Sequence, residues 1–116
     1  MKLEECANEM LKRGLDDWVD AAEVASLIRS TCDAPREADV QKMSLQIVHN
    51  AVEQGLMTIG NVTKDGFQKW QLSLPEAIGK IETEWSGLGR PPSIGELFWL
   101  CNTPQGDERA KSLVRG

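Results

Sequence analysis

The sequence predicts a mainly α-helical domain that carries one small β-hairpin. Three observations lead there. Apolar residues recur at steps of three and four in several windows, Ser/Asp-x-x-Glu pairs stand where helices would begin, and one Asp-Gly pair separates two short runs of strand character. The 116 residues suit a single core. We place the domain at 1–103 and expect 104–116 to form a flexible C-terminal tail, since "TPQGDERAKSLVRG" has few apolar residues.

The elements follow in order. Residues 3–13 form a first helix, with Leu3, Ala7, Met10 and Leu11 on one side and Gly14 as its stop. Asp20 caps a second, with Glu23 three residues on. Ala22, Val24, Ala25, Leu27 and Ile28 give that helix its apolar face as far as Ser30. "TCDAPRE" is a loop, because Pro35 disfavours helical geometry in the residue before it. A third helix, 38–54, buries Val40, Met43, Ile47, Val48, Ala51 and Val52 and turns Gln41, Lys42, Ser44, Gln46, His49, Asn50 and Glu53 outward. Gly55 closes it.

The hairpin spans about 56–72, with "TKDG" as its turn. Gln68, Trp70 and Leu72 share one face of the return strand, and Phe67, Lys69 and Gln71 the other. Ser73 and Glu76 then make a capping box with Pro75 in the first turn, opening a fourth helix with Ala77, Ile78, Ile81 and Trp85 buried. "SGLGRPP" breaks the chain. "SIGELFWLC" repeats the device, with Ser93 and Glu96 predicting a fifth helix.

Three helices followed by a hairpin is the winged-helix order, and residues 3–72 resemble a winged helix-turn-helix domain. The resemblance implies a winged-helix-like core with two added C-terminal helices, helix 38–54 in the recognition position and "TKDG" at the wing tip. On that reading Gln41, Gln46 and His49 would face base edges, while Lys64 and Lys69 would reach phosphates. The segment from "GFQKWQL" to "ELFWL" resembles one common in small bacterial proteins. In size and acidity the chain is similar in type to immunity proteins of interbacterial toxin systems.

Charge weighs against nucleic acid. Thirteen bases against eighteen acids leave a net −5, which repels phosphate backbones and suits a basic protein partner. Helix 38–54 holds Lys42 against Asp39 and Glu53. We therefore expect a non-enzymatic protein-binding module, an immunity or antitoxin type that neutralises a basic partner such as a toxin. A winged-helix DNA-binding regulator is the alternative. Asp16, Asp17 and Trp18 form the first docking candidate; Glu82, Glu84 and Trp70 form the second. Trp is favoured as an anchor because it buries a large area with few rotatable bonds.

Catalysis finds no foothold in these residues. His49, the sole histidine, has no serine or cysteine at a recognisable triad spacing. "GLGRPP" lacks the features of a phosphate loop, and Asp16, Asp17 and Asp20 do not match a calcium loop. We expect no enzyme activity, no metal and no cofactor. Cys6, Cys32 and Cys101 show no C-x-x-C spacing, which argues against a redox dithiol and predicts reduced thiols in a cytoplasmic protein. "MKLEECANEMLKRG" mixes acids into any apolar stretch, so no secretory leader is expected. No run of the sequence is apolar enough to span a membrane.

Overall fold

Local signals start and stop the helices largely where the sequence places them. The computed structural model describes residues 2–33 and 36–115. Its elements run α1 (Lys2–Arg13), β1 (Val19–Asp20), α2 (Ala21–Cys32), α3 (Glu37–Glu53), β2 (Met57–Thr63), β3 (Gly66–Lys69), α4 (Leu74–Leu88), β4 (Trp99–Asn102) and α5 (Pro104–Arg115). The chain is thus mainly helical, with a small antiparallel sheet in the order β1-β4-β2-β3. The Pro35 break lies outside the described residues. Among those residues, no helix is long and apolar enough to cross a membrane.

The caps behave as the sequence predicts. Asp20 accepts the Glu23 amide at 3.0 Å at the start of α2. At α4 the box is complete: the Ser73 hydroxyl accepts the Glu76 amide at 3.3 Å, and the Glu76 carboxylate accepts the Ser73 amide at 3.0 Å. Gly66, at φ +100, opens the return strand in a conformation that disfavours a side chain.

Helix α3 is the hub, packing against α1, α2, α4 and β2. It departs from the sequence reading in two places. Ser44, expected on the outer face, is fully buried, because it stands one turn from both Val40 and Val48 and so lies on the buried stripe itself; Leu45 is buried on the flank that faces α4. Glu37 ties the bundle together: its carboxylate accepts the Arg29 guanidinium at 2.7 Å and the Trp85 indole N–H at 3.0 Å. Trp85 is buried, as its phase with Ile81 predicts.

The C-terminal third differs more. The Ser93–Glu96 device does not nucleate a fifth helix. The Glu96 carboxylate does reach the Ser93 amide at 2.7 Å, but Gly95 and Leu97 both take left-handed backbone, at φ +84 and +69. A helix cannot continue through such residues. The chain instead extends into β4, pairing Leu100 with Val19 on one side and with Ile59 on the other. The returning strand of the hairpin therefore does not meet β1, because β4 lies between β1 and β2.

Residues 104–115, expected to form a flexible tail, are α5. Its start carries ordinary signals: Thr103 accepts the Gly106 amide at 3.0 Å through its hydroxyl, Pro104 sits in the first turn, and Asp107 follows. Ala110 is fully buried as α5 packs along α1. Gly106 lets the helix lie directly on Leu56, since a Cβ there would overlap the Leu56 carbonyl.

Two expected outcomes follow for equilibrium urea unfolding. Gly106→Ala forces α5 away from Leu56 and should cost about 1–3 kcal/mol, as overpacking does; a frayed tail would make it neutral. Asp20→Ala removes a cap and an acceptor for a second amide, and should cost roughly 2–4 kcal/mol.

Candidate functional site

Strand alternation divides the sheet into two faces. Val19, Met57, Ile59 and Leu100 point into the helices and are buried. The register pairs Asp20 with Trp99, Trp99 with Gly60, Gly60 with Lys69, Thr58 with Cys101, and Val62 with Phe67. These residues, with Trp18 just before β1, make up the opposite face. Trp18, Val62, Phe67 and Trp99 are all part-exposed there.

Gly60 shapes this surface. A side chain at that position would collide with the Gln68 carbonyl and the Phe67 ring. Bare backbone lets Phe67 lie across the sheet and meet Trp18, with ring centroids 6.5 Å apart at 34°. That spacing and tilt suit an aromatic pair.

The loop before β4 frames the other side. Arg90 holds Glu96 through two parallel contacts at 2.7 and 2.8 Å, a fork geometry that fixes both groups. Gly95 donates its amide to Asp20 Oδ2 at 2.7 Å. Ile94, between these anchors, is 85% exposed. Ile94, Trp99, Trp18, Asp17 and Glu23 line one groove of about 400 Å³. Ile94 matters here because it lines the same groove as Trp18 and Trp99 and so extends one apolar patch, where a lone exposed side chain would mean little.

Asp17 and Glu23 line this groove, and Asp16 immediately precedes Asp17. Asp16 and Asp17 are exposed in the turn between α1 and β1. Among the described residues, neither carboxylate is in an ion pair. Asp17 accepts the Trp18 amide at 2.7 Å, which orients the turn. Glu23, by contrast, is matched by Arg13 at 3.1 Å.

The second docking candidate is already engaged within the chain. Glu84 pairs with Lys80 at 2.6 Å, and the Lys80 ammonium lies 4.7 Å over the Trp70 ring. Glu82 is exposed but borders a different groove, between α3 and α4. The structure does not bring the two acidic pairs into one groove.

The α3–α4 groove, of about 590 Å³, holds Gln41, Gln46 and His49. Gln41 donates to the Ser86 hydroxyl at 3.0 Å and to the Glu82 carbonyl at 3.4 Å, so α4 occupies it. Lys64 is exposed at the hairpin turn, and Lys69 is exposed on the aromatic face. Neither lines the groove that holds the three polar residues of α3.

Sequence reading picked out Trp18 but missed Phe67 and Ile94 as its companions. The alternation of the return strand did place Phe67 opposite Trp70. Nothing local marked Ile94 as an exposed tip, because "SIGEL" reads as a helix start. No protein-family description, curated protein or solved structure matches this chain.

The loop's anchoring carries a pH signature. Arg90's hydrogen bonds, with the Ser93 amide next in importance, pull the Glu96 carboxyl down to about 2 from its ordinary 4.5. A depressed carboxyl stabilises the folded loop above its ordinary pKa and loses that effect as pH falls through the folded value. The clamp should therefore hold at neutral pH and weaken between about 4.5 and 2. Carboxyl-detected NMR titration of Glu96 should show the low midpoint, and Arg90→Ala should move it up toward the ordinary value.

Proposed function

We propose that this protein is a non-enzymatic binding module for a basic protein, and that the partner docks on the aromatic face of the sheet. The carrying observation is the joint placement of Trp18, Trp99 and the exposed Ile94 in one groove with the unpaired Asp17, with Phe67 packed on Trp18 and the exposed Asp16 next to Asp17 in the chain. Aromatic and aliphatic anchors supply contact area, while the neighbouring carboxylates steer a cationic partner and select its sign. The net charge of −5 works in the same direction at longer range. An immunity or antitoxin role, occluding a basic toxin, is the sharper form of this reading.

The winged-helix regulator is the second reading. Its support is the run of α1, α2 and α3 into the β2–β3 hairpin, with Lys64 at the tip. In that version β4 is an addition to a winged-helix core. Weighing against it, α4 lies along α3, Gln41 bonds to α4, and Glu82 lines the groove where a duplex would sit. Nucleic acid recognition needs a helix free to enter a groove and bases to meet phosphates.

The test uses immobilised protein in three forms: wild type, Trp18→Ala/Trp99→Ala, and Asp16→Lys/Asp17→Lys. A basic protein retained by wild type should be lost from the aromatic variant. It should associate with the charge variant about tenfold more slowly at low salt, and with a weaker salt dependence. Both variants should stay folded, since the altered side chains are exposed or part-exposed. Equal retention by all three forms would overturn the docking face. Selection from a random duplex library is the other arm. An enriched motif whose binding is lost in Gln46→Ala or Lys64→Glu would decide for the regulator.

A further inference from the structure

Helices α1 and α2 bring two thiols together that lie 26 residues apart in the chain. Cys6 Sγ and Cys32 Sγ are separated by 3.6 Å, against about 2.05 Å in a disulfide. Their surroundings differ. Cys6 is fully buried and donates its S–H to the Leu27 carbonyl at 3.4 Å. Cys32, in the last turn of α2, is part-exposed. It lines a surface groove of about 410 Å³ together with Lys2, Leu3, Asp39, Lys42 and Met43. A reagent in that groove reaches Cys32 directly, with Cys6 behind it.

We propose that Cys32 is a modification site for low-molecular-weight disulfides, and that Cys6 resolves the adduct into an intramolecular Cys6–Cys32 disulfide. The inference stands apart from the docking face, which it does not use.

The chemistry is thiol–disulfide exchange. The Cys32 thiolate attacks one sulfur of a disulfide such as oxidised glutathione. A mixed disulfide forms on Cys32, and one glutathione thiolate leaves and takes up a proton. Cys6 then loses its proton to solvent and attacks the Cys32 sulfur, releasing the second glutathione thiolate. Two protein thiols are oxidised and one external disulfide is reduced to two thiols, so no other oxidant is needed.

The groove suits such a reagent. Glutathione disulfide is anionic, and Lys2 and Lys42 both border Cys32. Asp39 also borders it, but is matched by Arg36 at 2.8 Å. Burial is the main reason the Cys6 thiol is pushed up to about 11. It is therefore a poor initiator and acts only once a partner sulfur is held against it. Proximity makes that second step intramolecular. Cys101 provides an internal control. It lies on β4, beyond the sheet face that the helices cover, and burial also raises it above its ordinary value.

The experiment incubates the folded full chain with oxidised glutathione, quenches with acid, alkylates under denaturing conditions, and reads intact mass and peptide maps. Wild type should lose two of its three alkylatable thiols, retain no glutathione, and yield a Cys6–Cys32 crosslinked peptide. Cys6→Ala should trap one glutathione on Cys32. Because Cys6 lies in the core, Cys32→Ser at the part-exposed position supplies an independent arm. In that variant Cys6 should remain a free thiol throughout. Crosslinked wild type should also unfold at a higher temperature than the reduced protein, and reduction should reverse the shift. A stable glutathione adduct on wild-type Cys32 would overturn the resolving role. Modification confined to Cys101, or undiminished oxidation of Cys6 in Cys32→Ser, would overturn the site itself.

Discussion

One buried carboxylate ties the start of the second helix to a loop far along the chain. Asp20 is 5% exposed, and both of its oxygens accept backbone amides: Oδ1 from Glu23 at 3.0 Å and Oδ2 from Gly95 at 2.7 Å. The first bond begins α2. The second docks the loop that leads into β4, 75 residues away. A carboxylate removed from water is tolerable only when its oxygens keep donors. With the loop undocked, Oδ2 would lose its donor. Asp20 also belongs to β1 and pairs there with Trp99, so the same residue caps a helix, holds a loop and sets a strand register.

Much of the sheet depends on that docking. Without β4, β1 has no partner strand, and β2 pairs only with β3. With β4 in place, Val19, Leu100 and Ile59 form a row that the helices bury. The far end of β4 is fastened too. The Asn102 side chain donates through Nδ2 to the Leu11 carbonyl at 3.0 Å near the end of α1, and the Thr103 hydroxyl donates to the Gly55 carbonyl at 2.6 Å. Helix α5 follows at once and seats Gly106 on Leu56. The C-terminal third thus completes the core. A chain assembled this way needs long-range pairing before its sheet is stable, which slows folding relative to a purely helical bundle.

What the sequence made legible was local. The capping box at Ser73 and Glu76, the Asp20 cap, the Asp-Gly turn and the phase of Trp85 each depend on residues a few positions apart. The misreadings share the opposite cause. Ser93 and Glu96 carry the same signature as Ser73 and Glu76, yet Glu96 is clamped by Arg90 and the next residues are needed as a strand. Leu45 was left off the apolar stripe of α3 because periodicity cannot see α4, which begins only at Leu74. Cys6 and Cys32 lacked a short motif, so their approach is visible only once α1 packs on α2. Of the candidate site, Trp18, Asp16 and Asp17 were legible as a Trp among acids. Phe67, Ile94 and Trp99 join them only through the sheet.

The placement of α4 separates the two functional readings most sharply. A helix that reads a groove must stand proud of its neighbours, with its polar side chains unengaged until ligand arrives. Helix α3 has α4 along one flank, buries Leu45 there, and commits Gln41 to Ser86. Freeing α3 for a duplex would expose apolar surface that α4 now covers, at about 25 cal/mol per Å². The sheet's aromatic face faces no such conflict. Trp18, Phe67 and Trp99 are already part-exposed, and Ile94 is held out by a loop clamped at Arg90–Glu96 and at Asp20. Covering those side chains would remove apolar area from water while leaving every internal hydrogen bond of the fold intact. A partner can therefore gain from that face without undoing any of the packing that built it, and the same cannot be said of α3.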